Sequence, residues 1–201
     1  MKVEYGLLSR ALEMAVAVAA LVTSVTSIWL SMRQGDDMAR LVQAQSWPYL
    51  EYESSNTGDE GPEIDLVVRN SGVGPAKVKT FAVAYEGKQV TGWSKLMQAC
   101  CAPDGKSIDT THDLLTLTDG KMISSKLIER VLRPSDSVRL LHLPKTEGNS
   151  ALWKKLDEAR FKLKLRACYC SVFDECWSTD LRGNAHRIEG ECPAETTPYI
   201  E

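Results

Sequence analysis

The chain has 201 residues, 43% hydrophobic and 25% charged, with 24 Lys and Arg against 27 Asp and Glu and a formal net charge of -3. That length has room for one domain with an accessory segment, and the ordinary apolar and charged fractions exclude disordered, collagen-like and low-complexity classes. The slightly acidic balance argues against a protein that works by neutralising phosphates, so no nucleic-acid partner is expected.

Apolar residues are concentrated near the start. No charged side chain occurs between Glu13 and Arg33, and residues 14–32 read MAVAVAALVTSVTSIWLSM. As a helix this run is about 28 Å long, close to a hydrocarbon core of about 30 Å. Trp29 lies near its C-terminal end, at interfacial depth. The polar groups within it are hydroxyls, which can bond back to helix carbonyls, whereas a helix of a soluble protein usually shows a polar face. A cleaved signal peptide has a shorter apolar run and a small-x-small pair ahead of its cleavage site. No such pair precedes Arg33, and Val42 and Ala44 lie well beyond the apolar end. The pattern therefore predicts an uncleaved transmembrane helix over 14–32 behind a short flank, 1–13. Lys2 and Arg10 before the span balance Arg33 and Arg40 after it, and the α-amino group tips the N-terminus inward. Ala15, Ala19, Thr23, Ser27 and Ser31 recur every fourth residue, a candidate strip for packing against a second copy or another membrane protein. A segment this rich in Ala, Ser and Thr also generates such strips by chance.

Residues 33–46 keep helical spacing, with Met38, Leu41 and Val42 on one side, and form a predicted stalk. Pro48 ends it, lacking an amide donor and biasing Trp47 towards extended geometry. The body, 47–201, is long enough to bury one good core. Short β-branched and aromatic runs bounded by Gly, Pro, Asn and Asp predict strands at 49–53, 64–69, 77–85, 114–118, 138–143, 161–172 and 176–181. Helices are predicted at 94–101 and at 151–160, the latter capped by Asn149 or Ser150. A parallel α/β sheet would need a helix after nearly every strand. The expected fold is mainly β, a sandwich-like antiparallel domain with one or two peripheral helices, preceded by one N-terminal transmembrane helix.

WPYL, LVVRNSGVGPAKVKTFAVAYEGK, VLRPSDSVRLLHL and CYCSVFDECW together resemble a group of bacterial single-pass membrane-anchored proteins. These carry an Asn-x-Gly-x-Gly-Pro-Ala turn between two strands of a compact β domain. The group has no assigned activity, so the resemblance implies architecture and a place in the bacterial inner membrane, nothing catalytic. Physically, Asn70, Gly72 and Gly74 are expected to supply unusual backbone angles, and Pro75 to fix the exit into the next strand.

Few side chains suggest chemistry. Gly72-Val73-Gly74 is followed by Pro75 and a strand, so no helix N-terminus faces a phosphate there. His112 falls in a polar loop, His142 on the outer face of a strand, and His186 in a loop. None belongs to a nucleophile or metal-ligand motif. Phe161, Leu163 and Leu165 should face the core while Lys162, Lys164 and Arg166 face solvent, a stripe whose alternative use is to bind a ligand or an anionic headgroup. No catalytic residue and no cofactor is expected.

The six cysteines, Cys100, Cys101, Cys168, Cys170, Cys176 and Cys192, all lie in the body. An even count in an exported domain fits disulfide pairing. Cys168 and Cys170 share a strand face and cannot easily pair with each other. A Cys170–Cys176 bridge fits across the turn around Phe173 and Asp174, and Cys168 or the adjacent Cys100–Cys101 pair is available to fix the tail through Cys192. Zinc is the first rival, but C-x-C-x5-C-x15-C lacks the C-x2-C knuckles of structural sites, so no metal is expected. A redox catalyst is the second, but reactive thiolates usually sit at helix N-termini. These features favour a non-enzymatic interaction or scaffolding module, anchored by one span and facing the periplasm or exterior. The competing readings are an envelope thiol–disulfide redox protein and a cytosol-facing sensor coupled to the transmembrane helix.

Overall fold

A computed structural model describes residues 2–103, 107–194 and 199. The chain divides into two units, Met1–Gln45 and Ser46–Glu201.

The first unit is a single helix, α1 (Lys2–Ala44), that runs without a break through the flank, the apolar run and the stalk. No proline interrupts it and Gly35 is accommodated in its interior. From Leu12 to Ala44 it is long and apolar enough to cross a membrane, and none of its apolar stretch is buried by protein. Three of its hydroxyls are satisfied within the helix: Thr23 Oγ1 donates to the Ala19 and Ala20 carbonyls at 3.0 and 2.9 Å, Ser24 Oγ to Ala20 at 2.7 Å, and Thr26 Oγ1 to Val22 at 2.9 Å. Such bonds remove most of the penalty of a hydroxyl in hydrocarbon. Arg33 lies over the Trp29 ring, 4.3 Å from its centroid.

The second unit contains, in chain order, β1 (Leu50–Ser55), β2 (Glu63–Asn70), β3 (Ala76–Tyr85), β4 (Lys88–Val90), α2 (Trp93–Cys100) and α3 (Thr111–Leu117). There follow β5 (Ile123–Ser124), β6 (Val131–Leu132), β7 (Ser137–Pro144), α4 (Ser150–Ala159), β8 (Leu163–Cys170), β9 (Cys176–Thr179) and β10 (Ala185–Ile188). Two antiparallel sheets result, one ordered β1-β2-β7-β5, the other β10-β9-β8-β3-β4 with β6 also on β3. Both contribute to one buried cluster: Leu50, Ile64, Leu66 and Leu143 from the first sheet, Val78, Phe81, Leu165 and Tyr169 from the second. Trp93 and Met97 of α2 and Leu152, Trp153 and Leu156 of α4 complete it. A register shift pairs Leu66 with Leu141 but Val67 with Arg139, leaving Leu140 unopposed. Both leucines of the Leu140-Leu141 pair are thereby buried on one strand, which strict alternation forbids.

Several expectations are corrected. Residues 114–118 are not a strand but lie in and just after α3. Thr110 Oγ1 accepts from the Asp113 amide at 3.1 Å while the Asp113 carboxylate accepts from the Thr110 amide at 2.9 Å. This reciprocal cap starts a helix where composition alone suggested β. The strand expected from 161 begins at Leu163, because α4 tightens into a 3-10 turn, Arg160–Lys162. Phe161 is therefore 67% exposed, with the Arg160 guanidinium 4.2 Å from its ring centroid, and does not join the core. The strand from Cys176 stops at Thr179; Leu181 follows with φ 58° and is buried, accepting from the Tyr52 amide at 2.9 Å. Asn149 does precede α4, but its side chain turns backward, accepting from the Thr146 amide and donating to the Pro144 carbonyl.

The Asn70–Pro75 connection is also explained differently. Neither Gly72 nor Gly74 has positive φ. Each is needed for space: a Cβ on Gly72 would lie 2.4 Å from the Tyr49 nitrogen, and one on Gly74 would lie 2.0 Å from the Ser46 oxygen. Asn70, fully buried, is the hub. Its Oδ1 accepts from the Tyr49 and Gly72 amides, each at 3.1 Å, and its Nδ2 donates to the Gly74 and Leu132 carbonyls at 2.8 and 3.0 Å.

Candidate functional site

β8 alternates strictly. Leu163, Leu165, Ala167 and Tyr169 face the core, which leaves Lys164, Arg166, Cys168 and Cys170 on the opposite face. Tyr169 stacks on Trp177 of β9 at 5.9 Å and donates to the Pro48 carbonyl at 3.4 Å. Burial pushes its phenol up to about 12. Cys170 stands in register with Cys176 across the β8–β9 hairpin, and the two are disulfide-bonded. Cys168 is bonded to Cys192 beyond β10, and Cys100 to its neighbour Cys101 at the end of α2. Of the two ways left open for Cys192, the structure takes Cys168. Among the described residues, which include all six cysteines, none is free.

The two disulfides of this face touch. Cys170 Sγ lies 3.8 Å from Cys192 Sγ, and one sulfur each from Cys170, Cys176 and Cys192 falls within 4.8 Å of the others. Cys168, Cys170 and Cys176 are buried although they lie on the face away from the core. The turn between β8 and β9 is held by the Ser171 amide donating to the Glu175 carbonyl at 2.8 Å and the Phe173 amide to Ser171 Oγ at 3.1 Å. Two ion pairs flank it. Lys77 Nζ is 2.8 Å from Asp174 Oδ1, a bond that holds the Asp174 carboxyl below its ordinary range, and Arg187 is 2.6 Å from Glu175.

Farther along the same face, the basic stripe borders a cleft of about 670 Å³ with Ala82 and Ala84 among its lining residues and Gln89, Lys164, Arg166 and Arg182 around them. Arg182 donates to the Leu163 carbonyl at 3.0 Å, and Asp180, held acidic by its bond from Asn184, adds an opposite charge. Lys162, the first residue of the expected stripe, is diverted to Glu86 at 2.7 Å, which raises its pKa. The cleft thus has mixed charge.

The histidines are not gathered. His112 is exposed on α3 and His186 is exposed on β10. His142 is not on a solvated outer face: its side chain is 15% exposed and its Nδ1 lies 2.9 Å from Asp65 Oδ1, its cross-strand partner's carboxylate. Arg139 reaches the same oxygen at 3.0 Å. Glu63, Asp65 and His142 are close enough to share a cation, but Arg139 already offsets the Asp65 charge, and the group works as a buried polar tie between β2 and β7. Reading along the sequence missed it because Asp65 is the one acidic residue within the apolar run 64–68. That isolated charge was the available signal. Ala15, Ala19, Thr23, Ser27 and Ser31 all lie on α1. A four-residue spacing on a 3.6-residue helix drifts about 40° per step, so the strip winds around the helix.

The family model described as Domain of unknown function (DUF8453) matches residues 12–168. The chain belongs to this family. The DUF8453 match takes in Cys100, Cys101, Cys168, the Asn70 turn and most of α1, and ends before Cys170, Cys176 and Cys192. No curated protein and no solved structure matches the chain.

Proposed function

We propose that this DUF8453 protein is a single-pass protein of the bacterial inner membrane. In this reading α1 spans the bilayer over residues 14–32, and a sandwich-like, disulfide-framed body on the periplasmic or exterior side acts as a non-enzymatic interaction or scaffolding module. The observation that carries the reading is the bareness of α1. Leu21, Val25, Ile28 and Leu30 are each more than half exposed among the described residues. At about 25 cal/mol per Å² of apolar surface, an array of this length is strongly unfavourable in water and favourable in lipid. Pairing of all six cysteines supports an oxidising compartment. The scattered histidines and the absence of a free thiol among the described residues support binding over catalysis.

The test joins topology to redox state. Spheroplasts are treated with a membrane-impermeant protease, and parallel samples are acid-quenched and alkylated with a heavy maleimide with and without reductant. The expected result is a cleaved body whose thiols label only after reduction. A protected body whose six thiols label at once would overturn the reading and favour the cytosol-facing sensor.

A further inference from the structure

We propose that Cys168, Cys170, Cys176 and Cys192 form a redox-gated zinc site: two adjacent disulfides when oxidised, one four-thiolate Zn²⁺ site when reduced. The inference goes beyond the membrane-anchor reading and does not depend on it.

The geometry is that of a ligand set already gathered. In a tetrahedral Zn–thiolate site with Zn–S near 2.3 Å, neighbouring sulfurs are about 3.8 Å apart. The non-bonded Cys170 and Cys192 sulfurs are 3.8 Å apart, and one sulfur each of Cys170, Cys176 and Cys192 lies within 4.8 Å of the rest. The fourth sulfur, that of Cys168, stands outside this group of three and borders it through its bond to Cys192. Reduction leaves three thiols within ligand distance of one another and frees Cys168, on the same strand face as Cys170, to turn in as the fourth.

Chain spacing gave no hint of this, because the C-x2-C knuckle is replaced by sheet register. Cys168 and Cys170 share one face of β8, and Cys170 pairs directly with Cys176 on β9. The hairpin thus presents three sulfurs from a rigid scaffold, and the segment after β10 adds the last. Cys168, Cys170 and Cys176 are each 3% exposed, where reduced thiols have few water partners and a metal satisfies them. A Zn²⁺ ion with four thiolates carries a charge of -2. Lys77, the register partner of Cys170, is the cation that the register places beside it, and it is shared with Asp174.

The step balances with a dithiol as reductant. Each protein disulfide takes two electrons and two protons from one dithiol, which closes to its own disulfide, so two equivalents give four thiols. Binding one Zn²⁺ then releases four protons. Oxidation reverses this, expelling the metal as the sulfurs pair.

The full-length chain in detergent micelles is reduced anaerobically with a dithiol, desalted and titrated with Co²⁺ and then Zn²⁺. The expected result is one Co²⁺ per chain with the intense visible absorption of a tetrahedral thiolate site, displaced by Zn²⁺, and no binding before reduction. Cys100→Ser/Cys101→Ser should bind as the unmodified chain does. Cys192→Ser, beyond the last strand, should lose the four-thiolate spectrum and weaken binding more than about tenfold. Native mass spectrometry of the unsubstituted chain reduced in the presence of Zn²⁺ gives the same answer without any variant: one zinc added and four protons lost. A reduced chain with six alkylatable thiols and no bound metal would overturn the proposal, as would loss of binding in the Cys100/Cys101 variant.

Discussion

Asn70 is a fully buried polar residue whose side chain makes four hydrogen bonds. It terminates β2, and these bonds tie the 70–74 loop to Tyr49 on one side and Leu132 on the other. The bonds to Gly74 and Leu132 are buried and those from Tyr49 and Gly72 partly so, and a buried polar group left unpaired costs about 1–3 kcal/mol. Asn70→Ala strands two donors and two acceptors at once, some of which water can reach again. The expected loss is about 3–5 kcal/mol, read as a lower urea midpoint with an unchanged slope for the full-length chain in micelles. A loss within 1 kcal/mol, on the order of a surface substitution, would show that the loop holds itself without the amide. The motif was legible in the sequence, but its physics was not. Gly72 and Gly74 look like residues chosen for their backbone angles; they are there because the backbone of residues 46–49 passes too close for a Cβ.

Among elements, those written by periodicity or by a bounded β-branched run were readable: α1 from its uncharged stretch, β2, β3 and β7 from their apolar runs, α2 and α4 from helical spacing. The failures have separate causes. At α3 the Thr110–Asp113 cap outweighed a Leu- and Thr-rich composition. β5 and β6, two residues each, exist only because β7 and β3 offer edges to pair with, a tertiary cause with no local signal. The sulfur cluster was half legible: the Cys170–Cys176 hairpin follows from strand alternation, but the position of Cys192 depends on the path after β10. The two bridges should also differ in weight. Cys170 and Cys176 are 6 residues apart and Cys168 and Cys192 are 24 apart. Loop-closure entropy then gives about 2.3 and about 3.5 kcal/mol respectively. Replacing Cys168 and Cys192 by Ser should therefore lower thermal stability more than replacing Cys170 and Cys176. The opposite order would mean that the hairpin bridge acts through native packing around the turn, beyond what chain entropy supplies.

At the scale of the whole molecule, the two units pose opposite solvent problems. The body hides its apolar side chains in one cluster shared by two sheets, whereas α1 displays its own along the whole of residues 12–32. One chain satisfies both demands if the helix meets lipid and the body meets water. Val22 and Val25 lie near the middle of the 14–32 run, where an arginine costs about 2.5–3.5 kcal/mol on insertion scales. Val22→Arg/Val25→Arg thus opposes insertion by about 5–7 kcal/mol, while it leaves every side chain of the body unchanged. The unmodified chain is expected to stay in the pellet after alkaline carbonate extraction, and the double variant to move to the supernatant. If the body is exported as proposed, its disulfides form in an oxidising compartment, and the same variant should also leave its cysteines reduced. If the double variant pellets as firmly as the unmodified chain and keeps its disulfides, the apolar run is not what holds this protein to the membrane. The exposed face of α1 would then have to be covered by another protein.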